Sequence, residues 1–146
     1  MSLFIAFALI AAMGLMAAIR LAPSDPAVWH DQEAIFQWAD DAGPWNDIVP
    51  LTGGATLRLS LAKGAPADLL SRLDVIAGAA PRTERLAGSI EDGRITWITR
   101  SALWGFPDYT SAETREDGLY VYARLRFGRD DFGVNAARLS DWLARL

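Results

Sequence analysis

The sequence predicts an α+β domain behind an apolar N-terminal transmembrane helix, with an antiparallel meander sheet of four to five strands and two helices packed on one of its faces. Three observations carry that reading. Residues 118–127 alternate strictly: Leu119, Val121, Ala123, Leu125 and Phe127 are set between Tyr120, Tyr122, Arg124 and Arg126, the period of a half-buried strand. Past Gly128 the period lengthens, and Phe132, Ala136, Leu139, Trp142, Leu143 and Leu146 fall at spacings of three, four and seven, the stripe of an amphipathic helix. Residues 3–19 (LFIAFALIAAMGLMAAI) run without a single charge.

That run comes first in the chain. As a helix it rises about 25 Å, enough to cross most of a hydrocarbon core. Arg20 and Pro23-Ser24-Asp25-Pro26 end it. A cleaved signal peptide is the competing reading. It is opposed by the lack of a basic stretch ahead of the run and by Arg20, which stands where a small-residue cut is expected. The expected organisation is an uncleaved anchor over residues 1–22, an irregular juxtamembrane segment over 23–50 and the α+β domain over 51–146. The lipid bilayer is the expected partner of residues 3–19. Arg20 on one flank and the α-amino group on the other nearly balance, leaning slightly to a cytoplasmic domain, so charge alone does not fix the orientation.

Trp29, Phe36, Trp38 and Trp45 follow the span closely and suit either the lipid–water boundary or a cover over the domain core. His30, the single histidine, reads as a packing or capping residue. Thr52-Gly53-Gly54 is a turn, and Leu57, Leu59 and Leu61 alternate with Arg58 and Ser60 as a short strand. Pro66 opens a helix whose buried stripe is Leu69, Leu70, Leu73, Ile76 and Ala77, and Gly78 and Pro81 stop it. Asp92-Gly93 between two alternating runs predicts a two-residue hairpin turn. That register sets Ile90 against Ile95, Gly88 against Trp97, Glu91 against Arg94 and Arg85 against Arg100, the last pair wanting an anion between them. Residues 103–109 form a corner, a strand follows over 110–115, and a turn at Asp117-Gly118 would bring Tyr109 opposite Arg126 and Ser111 opposite Arg124.

Composition removes several chemistries. The chain has no cysteine, which excludes disulfides, thiolate metal sites and thiol catalysis. Eight acids face three bases over residues 24–80, an acidic half that argues against nucleic acid as a partner. No cofactor or metal set is indicated.

The outward sheet face is expected to carry Arg85, Arg94, Arg100, Tyr120, Tyr122, Arg124 and Arg126, with Arg129, Asn135 and Arg138 at one edge. Candidate ligand- or partner-binding residues are Arg100, Asp108, Tyr109, Arg124, Arg126, Arg129, Asn135 and Arg138. One reading makes them an anion site of Arg forks and free N–H groups at the start of the last helix. The plainer one is a solvated face balanced by its own ion pairs, with Asp130 or Asp131 capping that helix. Two functions compete accordingly. One is a non-catalytic, membrane-tethered binding or accessory module whose partner is another membrane protein or anionic headgroups. The other is a small hydrolase or transferase acting on an anionic substrate through the Arg cluster and Asp131. No nucleophile–base pair is legible, which favours the module. Asn135 is expected to tie the corner over 105–109 to the helix start, leaving Arg124, Arg129 and Arg138 as an exposed rim.

Three segments, RLAPSDPAVWH, ITRSALWGFPDY and ARLRFGRDDFGVNAAR, resemble the recurring segments of the bacterial family catalogued as domain of unknown function 1499. The resemblance runs from about residue 21 to residue 146. It includes an Arg–Phe–Gly–x–x–Asp–x–Gly–x–Asn pattern at Arg126, Phe127, Gly128, Asp131, Gly133 and Asn135. It implies a hydrophobic N-terminal segment followed by a small cell-envelope domain, on the periplasmic side of a bacterial inner membrane. It brings no activity, cofactor or catalytic residue with it.

Overall fold

A computed structural model describes residues 2–30 and 43–146; Phe36 and Trp38 lie outside the described residues. Helix α1 (Ser2–Leu21) is followed by the single turn α2 (Pro26–Trp29). The domain then runs β1 (Ile48–Leu51), β2 (Gly54–Ser60), a 3-10 turn (Leu61–Lys63), α3 (Pro66–Gly78), β3 (Thr83–Ser89), β4 (Arg94–Arg100), β5 (Pro107–Arg115), β6 (Gly118–Leu125) and α4 (Val134–Arg145). The strands make one antiparallel sheet of six, in the order β1-β2-β6-β5-β4-β3. The meander β3 to β6 is as expected, and the β1-β2 hairpin adds to its β6 edge, so that β6 lies inside the sheet. The extra strand is β1, whose Pro50 reads as loop. Pro50 is tolerated because β1 pairs with β2 alone, and an edge strand can lack one N–H.

Period-two alternation sends Ala55, Leu57, Leu59, Ile95, Trp97, Ala112, Leu119, Val121 and Ala123 to one face. There they meet Leu69, Leu70, Leu73 and Ala77 of α3 and Leu139 and Trp142 of α4, a core with both helices on the same side of the sheet. Trp97 and Trp142 pack edge to face at 5.9 Å. The Trp97 indole N–H donates to Asp74 on α3 at 3.0 Å, so the largest core side chain leaves no buried donor unpaired. Phe132, expected in the α4 stripe, is instead 91% exposed, because α4 begins at Val134 after Phe132 and Gly133 turn through positive φ.

Both hairpin registers differ from expectation. The β3-β4 loop has four residues, with Ser89 opposite Arg94 and the Gly93 N–H donating to Ile90 O at 3.0 Å. Ser89 Oγ binds both the Asp92 carboxylate and its N–H, a local closure that a two-residue turn would not allow. A bulge between Arg85 and Ala87 shifts the pairing again, so that Arg85 faces Trp97 and reaches Asp74 on the helix side. The opposed Arg85–Arg100 pair therefore does not form. Arg94 pairs with Glu113 across β4 and β5, not with Glu91. In the β5-β6 hairpin Arg115 faces Gly118, which makes Glu116-Asp117 the turn and sets Tyr109 opposite Arg124 and Ser111 opposite Tyr122. The shift is by two residues, and the faces are kept.

Trp142→Ala should destabilise the domain by about 3–5 kcal/mol, the cost of truncating a fully buried aromatic. Urea denaturation followed by circular dichroism measures it, and a loss within experimental error would mean that α4 is not part of the core.

Candidate functional site

The outer face of the sheet reads in rows across the strands. Thr96, Ser111, Tyr122 and Thr56 make one row, Ile98, Tyr109, Arg124 and Gly54 the next, and Arg94, Glu113, Tyr120 and Arg58 lie on the other side. These side chains do not face open solvent: Thr56, Arg94, Thr96, Ile98, Tyr109, Ser111, Glu113 and Tyr120 are all buried. Part of the cover is the segment that leaves α1. Asp25 caps α2 by accepting the Ala27 N–H at 2.9 Å, and Pro26 opens it, so a local N-cap and proline signal turns the chain onto the sheet.

Trp29 then stacks on Tyr109, with ring centroids 4.0 Å apart and planes 11° from parallel. The Tyr109 hydroxyl lies 2.7 Å from Ser24 Oγ and accepts from Arg126 at 3.2 Å. Arg126 also donates to the Pro23 carbonyl at 3.0 Å, while Arg124 donates to the Trp29 carbonyl at 2.6 Å and to Ser111 Oγ at 3.2 Å. Ser111 and Thr96 hydroxyls are 2.8 Å apart, and Thr96 is 2.8 Å from His30 Nδ1. The circuit from Trp29 through Arg124, Ser111 and Thr96 to His30 closes on adjacent residues of the covering segment. Gly88 makes room for it: at φ +87° a Cβ would come within 2.7 Å of the His30 ring and 2.1 Å of Arg94 O. Farther along the face, Trp45 meets Tyr120 edge-on at 5.7 Å and lies under the Arg58 guanidinium. Trp29 and Trp45 thus cover the outer face of the sheet, whereas the core lies on its other side.

Electrostatics follow from that burial. Arg124 is pulled below its ordinary value, first by desolvation and then by Arg94, with Tyr122 and Tyr109 opposing. Its charge is compensated by the carbonyl and hydroxyl it binds and by the faces of Trp29 and Tyr122. His30 is likewise lowered, by burial and then by Arg94, against an opposing contribution from Asp92.

Asp108, next to Tyr109 on β5, belongs to a second polar cluster, formed with the last helix. Asn135 is fully buried and donates from Nδ2 to Asp108 at 3.4 Å. Arg138 donates to the Asn135 side-chain oxygen and bridges Asp108 at 3.0 Å. Burial raises Asp108 despite the Arg138 hydrogen bond that opposes the shift. The helix start is not an open anion site, since Asp131 accepts the Asn135 N–H at 2.9 Å and the Gly133 N–H at 3.2 Å, and Asp130 accepts that of Phe132. The N-cap position is Gly133, and Asp131 satisfies the helix start from two residues before it.

The eight sequence-level candidates separate into groups. Tyr109, Arg124 and Arg126 grip residues 22–30, while Asp108, Asn135 and Arg138 tie β5 to α4. Arg100 donates to Gly105 O at 3.3 Å, and Arg129 is exposed. Asn135 holds Asp108, within the corner expected for it. The expected rim does not form, because Arg124 lies beneath Trp29 and Arg138 is engaged with Asp108. Sequence reasoning missed Ser24 and the sheet-covering role of His30, and the only available signal was the Asp25-Pro26 cap, which turns the chain without saying toward what.

A family model described as a protein of unknown function (DUF1499) matches residues 22–146. No curated protein and no solved structure matches the chain.

Arg124→Ala and Asn135→Ala should each cost about 1–3 kcal/mol, the scale of buried hydrogen bonds lost with a partner left behind. Arg129→Ala, at an exposed site, should stay within about 0.5 kcal/mol. Denaturant titration of the three variants checks this, and an Arg124→Ala loss no larger than that of Arg129→Ala would show that the segment is not held as described. The pH dependence follows from His30. Its folded value lies below the ordinary 6.5, so the unfolded chain takes up the proton first as pH falls. The stability from neutral His30 is present above that value and is lost as pH drops toward the folded one. Between about pH 7 and about pH 5 the urea midpoint should fall, and His30→Gln should flatten the slope. A slope unchanged by the substitution would assign the effect to other groups.

Proposed function

We propose that this chain, which belongs to the DUF1499 family of proteins of unknown function, is a membrane-anchored, non-catalytic binding or accessory module of the bacterial cell envelope. It crosses the inner membrane once through α1 and carries its domain on the periplasmic side. The observation that carries the reading is the closure of residues 22–30 on the sheet. Trp29, Tyr109, Arg124 and Arg126 join the exit of α1 directly to the domain, fixing the domain close to the bilayer in one orientation. A flexible tether would serve a domain that searches for a soluble substrate; a rigid one suits a module that presents a surface at a set height.

Residues Leu3–Leu21 are apolar and long enough to cross a hydrocarbon core, and nothing in the described chain buries them. The Arg cluster that a small transferase would need is engaged by main-chain carbonyls and aromatic faces, which supports the module over the enzyme. The periplasmic side rests on the resemblance in layout to envelope domains, because the flanking charges are nearly balanced.

Alkaline extraction of membranes should leave the full-length chain in the pellet, and protease added to spheroplasts should digest the domain. Survival of the domain while a periplasmic marker is degraded would reverse the orientation. A chain that appears in the soluble fraction without its first residues would replace the anchor with a cleaved signal. Co-purification in mild detergent then identifies the partner.

A further inference from the structure

Arg20 in the last turn of α1 donates to the Leu103 carbonyl at 3.1 Å and to that of Trp104 at 3.4 Å. This contact sets the corner between β4 and β5 against the end of the apolar helix. The fit is close: a Cβ at Gly105, where φ is +72°, would lie 2.7 Å from the Arg20 side chain. The corner is apolar where it is free, with Leu103 70% and Trp104 47% exposed. A helix of this length crossing a bilayer puts Arg20 at the level of the lipid headgroups. Leu103 and Trp104 share that level, where an indole is favoured and where an exposed leucine in water gains nothing.

Beside the corner opens a cavity of about 500 Å³ lined by Arg20, Arg82, Arg100, Ser101, Thr83 and Glu84. The three guanidiniums hold their positions through backbone carbonyls: Arg20 through Leu103 and Trp104, Arg82 through Arg100, and Arg100 through Gly105. Among the described residues none of the three forms an ion pair, whereas Arg85, Arg94, Arg115, Arg138 and Arg145 each do. Three fixed cations against the single carboxylate of Glu84 leave the cavity with an unmatched positive charge. Arg forks held by carbonyls keep their remaining N–H groups for a bidentate oxyanion.

We infer that this cavity binds the phosphate of an anionic phospholipid headgroup, with Leu103 and Trp104 resting among the adjoining acyl chains. The inference rests on the anchored reading of α1, and it adds a specific lipid contact that anchoring alone does not require. An anionic lipid satisfies both halves of the site at once, the Arg cavity through its phosphodiester and the apolar corner through its chains. Free phosphate would satisfy only the first.

The test uses the full-length chain in nanodiscs of phosphatidylcholine with or without phosphatidylglycerol, analysed by native mass spectrometry for retained lipid. Phosphatidylglycerol should be retained in preference to phosphatidylcholine. Arg82→Gln, at an exposed position, should lower that retention about tenfold, the loss expected for one charge-assisted hydrogen bond. Arg85→Gln, outside the cavity, should leave it unchanged, and thermal melts confirm that both variants are folded. Equal retention of the two lipids would overturn the inference, as would an Arg82→Gln variant that keeps its lipid or displacement of the lipid by inorganic phosphate. A chain that stays in alkaline-washed membranes yet shows no lipid preference defeats the headgroup site alone; a chain released by the wash defeats the anchor as well.

Discussion

The stacking of Trp29 on Tyr109, locked by Arg124 and Arg126, is the contact on which the arrangement of this molecule depends. A sheet with helices on one side must still do something with the other. Here that other face carries Tyr109, Thr96, Ser111, Arg94 and Glu113, all buried, which requires a cover able to satisfy hydroxyls and cations as well as exclude water. The segment leaving α1 supplies part of that cover with main-chain carbonyls, one imidazole and one indole. Without it, the donors of Arg124 and Arg126 would turn to water.

Arginine is suited to this position in a way that lysine is not. Arg124 donates along two directions, to Ser111 and to the Trp29 carbonyl, while its flat face lies near the rings of Trp29 and Tyr122. A carboxylate partner would neutralise the charge more fully but would add a second ion to desolvate. Carbonyl dipoles and ring faces do the same work with neutral groups. The pattern recurs around Arg20, Arg82 and Arg100, with the difference that those three border an open cavity. The same side-chain chemistry thus produces a closed joint on the sheet and an unmatched charge beside the corner between β4 and β5.

Two readings of the outer face missed its cover for one reason, although Arg94 and Arg115 do pair with Glu113 there as the plainer reading has it. The outer face was expected either to bind an anion or to lie solvated and balanced by its own acids. Both readings assumed that residues distant in sequence do not come to rest on it. Trp29 lies ninety-five positions from Arg124, and no periodicity links them. Asp131, by contrast, was legible as serving the helix start because its partners, Gly133 and Asn135, are two and four residues away. The hairpin registers fall between these cases. Asp92-Gly93 marks a reversal correctly, yet the Ser89 hydroxyl and the Arg85–Ala87 bulge move the pairing, and neither follows from the turn dipeptide.

By itself the sequence determined what local spacing controls: the apolar run of α1, the stripes of α3 and α4, the alternation of β2, β4 and β6, and hence an antiparallel sheet with two helices on one side. Those features are fixed by the fit between side-chain period and backbone period, which neighbouring residues settle among themselves. Tertiary structure alone decided that the β1-β2 hairpin joins β6, that Arg85 reaches Asp74, and that Arg124 and Arg126 grip the residues after α1. Each of those outcomes is a pairing between side chains or strands brought together only when the core closes, where the need to satisfy every buried polar group selects one partner from many in a distant part of the chain.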